Sequence, residues 1–256
     1  MRNFFKYLFV LTIGVVCIAA ITPAKKIAIW MIGDSTMCLY ESSRAPLTGW
    51  GMPFAGFFDA AVVTHNHAKG GRSTRTFLSE NRWKPVLDSM TAGDYVFIQF
   101  GHNDEAKEEK YKDRYTPVAG YKSNLRLFIN TAREKRAIPV LITPVSRMRF
   151  DNAGTALETH TDYTAAVWEV GSDLQVPVID LDKESRALIQ SMGPKYAPFL
   201  FMQLDSMQHP AYPAGLKDNT HFNEYGARRM AQIVLAGVRQ QIPELAARIV
   251  HVNAKN

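Results

Sequence analysis

Short runs of β-branched and aromatic residues alternate along this chain with longer stretches in which apolar side chains recur at helical spacing. Five runs read as buried strands, at residues 27–32, 61–64, 95–100, 138–143 and 176–180. Helical period marks residues 52–60, 76–90, 118–136 and 163–174 between and beside them, and a last helix is expected at 224–241. Strand and helix in alternation mean parallel strands joined by crossover helices. The pattern therefore predicts an α/β fold, a three-layer α/β/α sandwich around a central five-stranded parallel sheet. In such sheets functional groups gather at the carboxyl ends of the strands.

The N-terminal segment departs from this pattern. Arg2 and Lys6 precede an uncharged apolar stretch, residues 7–24, that ends in small residues, the arrangement of a cleaved export signal. The stretch is just long enough to span a bilayer. Lys25 and Lys26, however, lead directly into the first strand and leave almost no linker for an anchored domain. Cleavage between residues 19 and 24 is expected, which makes 1–24 a signal peptide and 25–256 the folded domain. The product would be secreted or periplasmic, without a stable membrane anchor. Val15-Val16-Cys17 lacks the small residue that a lipoprotein signal places before its cysteine. Cleavage also leaves Cys38 as the lone cysteine, so no intramolecular disulfide can form and stability rests on the core.

Composition narrows the classes. With 46% hydrophobic and 21% charged residues over 256 positions, the chain can bury a full core, which excludes intrinsic disorder. Its 16 Gly and 13 Pro have no period, which excludes collagen-like, linker-rich and repeat architectures. The formal charge is +6 and the pI about 9.3. Lys and Arg are scattered with no run of five, so no nucleic acid partner is expected. A basic surface facing an anionic polymer is the milder inference.

Candidate chemistry sits at the strand ends. The first strand runs into Gly33-Asp34-Ser35-Thr36, where a serine hydroxyl at a strand-to-helix turn can stand above the sheet. The second is followed by Asn66-His67-Ala68-Lys69-Gly70-Gly71-Arg72-Ser73, whose glycines let a backbone N–H approach a ligand closely. No Gly-Lys-Ser/Thr follows, which argues against a phosphate loop. The third ends in Gln99-Phe100-Gly101-His102-Asn103-Asp104, and an Asn there can donate to a developing oxyanion. Near the C-terminus, Asp218-Asn219-Thr220-His221 spaces a carboxylate three residues from an imidazole. In a turn entering a helix that spacing lets Asp218 fix the His221 tautomer and leave Nε2 free as a base. Taken singly, these residues also read as an N-cap serine and an Asx turn with a surface histidine. His65 and His67 point to one face of a strand, but no third ligand at a useful spacing completes a set, so no metal is expected. His102, His160 and His209 read as packed or surface rings, and only His102 adjoins a strand-end loop.

In this order the segments resemble the SGNH, or GDSL-like, hydrolase superfamily, whose blocks carry Ser, Gly, Asn and His. Ser35, Gly71 and Asn103 match the first three blocks, and Asp218 with His221 the last. Further matches are similar to the rhamnogalacturonan acetylesterase branch: Thr48-Gly49-Trp50-Gly51, Gly70-Gly71-Arg72-Ser73-Thr74-Arg75-Thr76-Phe77, Gly101-His102-Asn103-Asp104 and Asp218-Asn219-Thr220-His221-Phe222. Thr36 stands where the superfamily's name has Leu, a variation expected in that branch.

The resemblance implies a flavodoxin-like fold and a secreted serine esterase acting on acetylated pectic polysaccharide, rhamnogalacturonan foremost, with no cofactor. Ser35 would be the nucleophile, His221 its base and Asp218 the residue that orients the base. The backbone N–H groups of Ser35 and Gly71 and the Asn103 side chain would hold the oxyanion. A lysophospholipase or thioesterase of the same superfamily and an inactive carbohydrate-binding relative are the alternatives. The complete residue set favours an enzyme. Trp50, Arg72, Arg75 and His102 are the expected substrate contacts, with Trp83, Phe199 and Tyr212 as further flat faces and Lys195 as a further partner for uronate carboxylates. For each, a core indole or a structural ion pair is the competing reading. Oligomeric state is left open.

Overall fold

The computed structural model describes residues 26–250, and the expected signal peptide at 1–24 lies outside them. Strands β1 (Ile27–Gly33), β2 (Val62–Asn66), β3 (Tyr95–Gln99), β4 (Ile138–Ile142) and β5 (Val178–Ile179) form a parallel sheet in the order β2-β1-β3-β4-β5. This is a doubly wound order. The chain leaves β1 for β2 on one side and returns to β3 on the other, so a crevice opens above the ends of β1 and β3.

Period-two alternation divides the sheet's side chains between two cores. From β1, Ile29 and Met31 pack on one face with Phe97, Val140 and Ile142, while Trp30 and Ile32 pack on the other with Val96, Ile98 and Leu141. The first face is covered by α1 (Gly51–Phe54), α6 (Leu181–Tyr196), α7 (Glu224–Gln241) and α8 (Pro243–Ala246), through residues such as Phe54, Ile189, Val234 and Leu245. The second is covered by α2 (Thr74–Ser79), α3 (Trp83–Ser89), α4 (Val118–Glu134) and α5 (Thr161–Leu174), through Phe77, Val86, Phe128 and Val167. Both faces of the sheet are thus buried, as parallel strands require. Among the described residues no helix is long and apolar enough to cross a membrane.

Several elements differ from the sequence expectation. The helix expected at 76–90 is two helices, α2 and α3, separated at Asn81, whose φ of 54° cannot continue an α-helix. Ser73 and Thr76 cap α2 reciprocally, which sets its start before the expected one. The helix expected at 52–60 shortens to α1 and a 3₁₀ turn, Ala55–Phe57. The fifth strand is only two residues long, because Asp180 caps α6 by accepting from the Lys183 N–H. Neither α6 nor an antiparallel hairpin of β6 (Phe201–Leu204) and β7 (Leu216–Phe222) was expected. That hairpin positions the site. β7 lies outside the main sheet and is tied down by Thr48 N–H to Phe222 O at 2.9 Å and Met148 N–H to Asn219 O at 2.9 Å.

Candidate active site

The turn after β1 is braced from below. The Asp34 carboxylate accepts the Thr36 N–H at 2.9 Å and its hydroxyl at 2.8 Å, and the Asp34 carbonyl accepts from Met37 and Cys38. Gln99, at the end of β3, donates to the Thr36 hydroxyl at 3.0 Å and accepts the Trp50 indole N–H at 2.7 Å. Gly33 is needed here, since a Cβ would lie 2.6 Å from the Gln99 carbonyl. Tyr40 donates to the Ser35 carbonyl at 2.8 Å. The Ser35 backbone is held on both sides and its hydroxyl is left toward solvent and β7.

On β7, Asp218 Oδ1 accepts the backbone N–H groups of Thr220 at 2.8 Å and His221 at 3.0 Å. Its Oδ2 lies 2.7 Å from His221 Nδ1, and His221 Nε2 lies 2.8 Å from Ser35 Oγ. Burial alone would raise the Asp218 pKa, but the His221 ring and the two N–H donors more than offset it and hold the carboxyl below its usual range. An ionised Asp218 fixes the proton on Nδ1 and leaves the Nε2 lone pair facing the serine hydroxyl. The spacing of three works, but on a strand rather than in the expected turn entering a helix.

A second set of contacts braces β7. Arg147, beyond the end of β4, donates from Nη1 to the Thr220 hydroxyl at 2.8 Å, and its Nη2 lies 3.1 Å from Glu105 Oε1. Glu105 Oε2 in turn lies 2.9 Å from His160 Nδ1. Arg147 therefore links the loop that carries Asn103 to the strand that carries Asp218 and His221.

Across from His221, Gly70 and Gly71 pass beside the serine; a Cβ on Gly70 would lie 3.7 Å from Ser35 Cβ. Gly71 has φ of 78°, a conformation open to glycine. Asn103 donates one amide hydrogen to the Arg72 carbonyl at 3.0 Å, which orients the carboxamide and leaves its second hydrogen available. The N–H groups of Ser35 and Gly71 have no partner among the described residues. Next in sequence, Asp104 is fully buried, and burial pushes its carboxyl up to about 7 despite bonds from the Thr74 N–H and hydroxyl. Ser35, Gly71, Asn103 and His221 all open onto one groove of about 1260 Å³.

The structure thus brings Ser35, Gly71, Asn103, Asp218 and His221 together, and of the expected substrate contacts Trp50, Arg72, Arg75 and His102 only His102 reaches the groove. Trp50 is fully buried, with its indole spent on Gln99, so it offers no face to a sugar. Arg72 pairs with Glu80 at 2.9 Å and donates to the Gly70 carbonyl at 2.9 Å, bracing its own loop. Arg75 donates to the Tyr115 carbonyl and, like Arg72, does not line the groove. His102 reaches the groove floor but is sealed, 5% exposed, with its ring against His160 at 4.2 Å. Trp83 is core, bonded to Thr131, and Phe199 and Lys195 lie away from the groove. Tyr212 donates to the Arg44 carbonyl. His65 and His67 both pack their rings on Trp30, and among the described residues no three metal-ligating groups converge.

Sequence reasoning missed Tyr40, Glu105, Tyr111, Arg114 and Arg147 as groove residues. The strand-end rule, applied to β4 as it was to β1 and β3, would have pointed toward Arg147.

Residues 31–229 match the model of the GDSL-like lipase/acylhydrolase family. The chain is 41% identical over 217 residues to rhamnogalacturonan acetylesterase RhgT of Bacillus subtilis, spanning 84% of this chain and 91% of that protein. It is 36% identical over 213 residues to the probable rhamnogalacturonan acetylesterase YesY of the same organism, spanning 83% and 92%. Among solved structures, YxiM of Bacillus subtilis superposes with a TM-score of 0.72 at 27% identity; the match covers 86% of this chain and 58% of that one, little over half its length. The acetylxylan esterase Axe2 of Geobacillus stearothermophilus gives a TM-score of 0.62 at 17% identity over 84% of this chain and 94% of that one, a likeness of fold alone.

Proposed function

The chain belongs to the GDSL-like lipase/acylhydrolase family, and from that premise we propose that this carboxylic-ester hydrolase removes acetyl groups from a pectic polysaccharide, rhamnogalacturonan foremost. The observation that carries the chemistry is the unbroken line Asp218–His221–Ser35, at 2.7 and 2.8 Å, beside N–H groups that have no partner among the described residues. Ser35 Oγ attacks the acetyl carbonyl while its proton passes to His221 Nε2. Asp218 stabilises the imidazolium that forms. The tetrahedral oxyanion is received by the Ser35 and Gly71 N–H groups and the Asn103 amide, donors already oriented before substrate arrives. Collapse expels the sugar alkoxide, which takes the proton back from His221. Water, deprotonated by His221, then releases acetate and restores Ser35.

The substrate reading is supported by the names of the two Bacillus relatives matched over nearly their whole length. The Arg2, Lys6 and 7–24 pattern supports export to where such polymers are found. The test is acetate release from acetylated rhamnogalacturonan, xylan and chitin oligomers, run beside long-chain acyl esters. Rhamnogalacturonan acetate should give the highest kcat/KM. A higher value on long-chain esters would replace this reading with a lysophospholipase or thioesterase.

A further inference from the structure

Arginines near the oxyanion side divide into those already committed and one that is not. Arg72 is paired with Glu80, Arg75 bonds the Tyr115 carbonyl, and Arg147 is shared between Glu105 and Thr220. Arg114 has no carboxylate within 4 Å and no side-chain hydrogen bond among the described residues, and its Nε is buried without a partner. What holds it is Tyr111: the guanidinium carbon lies 3.7 Å from the ring centroid, in stacking contact. Both residues sit on one short turn, with Arg114 N–H to Tyr111 O at 3.0 Å. That turn is fastened to the oxyanion loop by Thr116 N–H to Asp104 O at 2.9 Å. Nη1 faces Gly71, since a Cβ built on that glycine would lie 3.6 Å from it. Arg114 lines the groove with Ser35, Gly71 and Asn103.

We propose that Arg114 is a specificity-determining residue that binds a carboxylate of the substrate, on an acidic sugar beside the acetylated position. This rests on the acetylesterase reading of the groove. A planar guanidinium stacked on an aromatic face is already ordered, so it loses little freedom on pairing. With Nε covered, the carboxylate meets the two Nη groups end-on. Arg44, the other stacked groove cation, lies farther from its ring, 5.2 Å from the Tyr40 centroid. Among the described arginines, Arg114 alone combines an open charge, a fixed platform and contact with the Gly71 side of the hole.

The experiment compares kcat/KM for acetate release from a uronate-containing acetylated oligosaccharide and from a neutral one. It uses the wild type, Arg114→Gln, Arg114→Lys and, as a control for bulk charge, Arg239→Gln in the exposed last turn of α7. In Arg114→Gln the acidic-to-neutral ratio should fall about 10- to 100-fold, mostly through KM, the loss of a charge-assisted bond. Arg114→Lys should fall by less, because it keeps the charge without the fork. Arg239→Gln should leave the ratio in place. Salt should narrow the wild-type preference, since an open charge is screened over about 10 Å at 0.1 M. If circular dichroism finds Arg114→Gln unfolded, Arg114→Lys and Tyr111→Leu carry the test, each with a several-fold fall expected. An unmoved ratio in folded Arg114 variants, or an equal fall in Arg239→Gln, overturns the assignment and leaves the acetylesterase reading standing. Absence of acetate release by the wild type from either sugar overturns both.

Discussion

Two histidine–carboxylate pairs lie within reach of the Ser35 turn, built from the same residue types in opposite surroundings. His221 and Asp218 are 2.7 Å apart and about a quarter exposed, with Nε2 turned to the serine hydroxyl. His102 and Asp34 are 3.6 Å apart, beyond hydrogen-bond reach, and sealed under the turn at 4% and 0% exposure. Burial pushes His102 down to about 3, and the neighbouring His160 and Arg147 charges act in the same direction. Asp34 commits Oδ1 to Thr36, bracing the turn. One pair can exchange a proton with a ligand and the other cannot. Residue type and proximity are the same; solvent access and the atom that faces the serine differ, and these decide the role.

The comparison is broken most severely by deleting members of the exposed pair and its serine. On a small acetyl ester, Ser35→Ala and His221→Ala should each lose on the order of 10⁶ in kcat. Asp218→Ala should lose roughly 10⁴, because serine and base remain and only orientation and charge stabilisation go. A folded Ser35→Ala retaining more than about a tenth of the rate would rule out the mechanism. Asn103→Ala comes next, at about 10² to 10³, since the Ser35 and Gly71 N–H groups persist.

Arg147 sharpens the comparison, because it touches both regions. Arg147→Met removes the bonds to Thr220 and Glu105 and should lower kcat about 10-fold through misplacement of β7. Thr220→Val breaks the same link, so the double variant should be little worse than the worse single one; strict additivity would deny the link a positioning role.

The remaining effects are on stability against pH and not on rate. His102 titrates near 3 in the folded chain against an ordinary 6.5, so between these values the unfolded chain binds a proton that the folded one refuses. Its contribution therefore falls as pH drops from about 6.5 toward 3, by at most about 1.4 kcal/mol per pH unit. Asp104 has the opposite sign: raised from 3.8 to about 7, it is protonated in the folded chain first, and acidification through that window favours folding. In urea titrations at pH 7, 5.5 and 4.5, His102→Gln should flatten the acid loss and Asp104→Asn should steepen it. Equal slopes in all three proteins would mean that neither side chain is buried in the state described.

Legibility followed locality. The runs at β1, β3 and β4 were readable because a buried parallel strand is apolar on both faces. β7 was not, since its sequence Leu-Lys-Asp-Asn-Thr-His-Phe carries chemistry where a strand signal needs apolar residues. α6 was missed over a polar stretch that ends in a kink at Gly193-Pro194, and the break at Asn81 lies inside an unbroken helical period. Trp50 was misplaced because an indole's sequence neighbours do not reveal that Gln99, 49 positions away, takes its N–H.

By itself the sequence determined the α/β alternation, the strand-end positions of Ser35, Gly71 and Asn103, and the spacing of three between Asp218 and His221, since strand and helix periods and short motifs are local properties of the chain. Only the tertiary structure decided that His221 Nε2 meets Ser35 Oγ across 186 positions of chain, and that Arg114 stands in the groove with its Nε buried and unpartnered. Those outcomes depend on burial and on partners brought together by packing, and both change the free energy of a charge or an unpaired donor far more than any neighbour in sequence does.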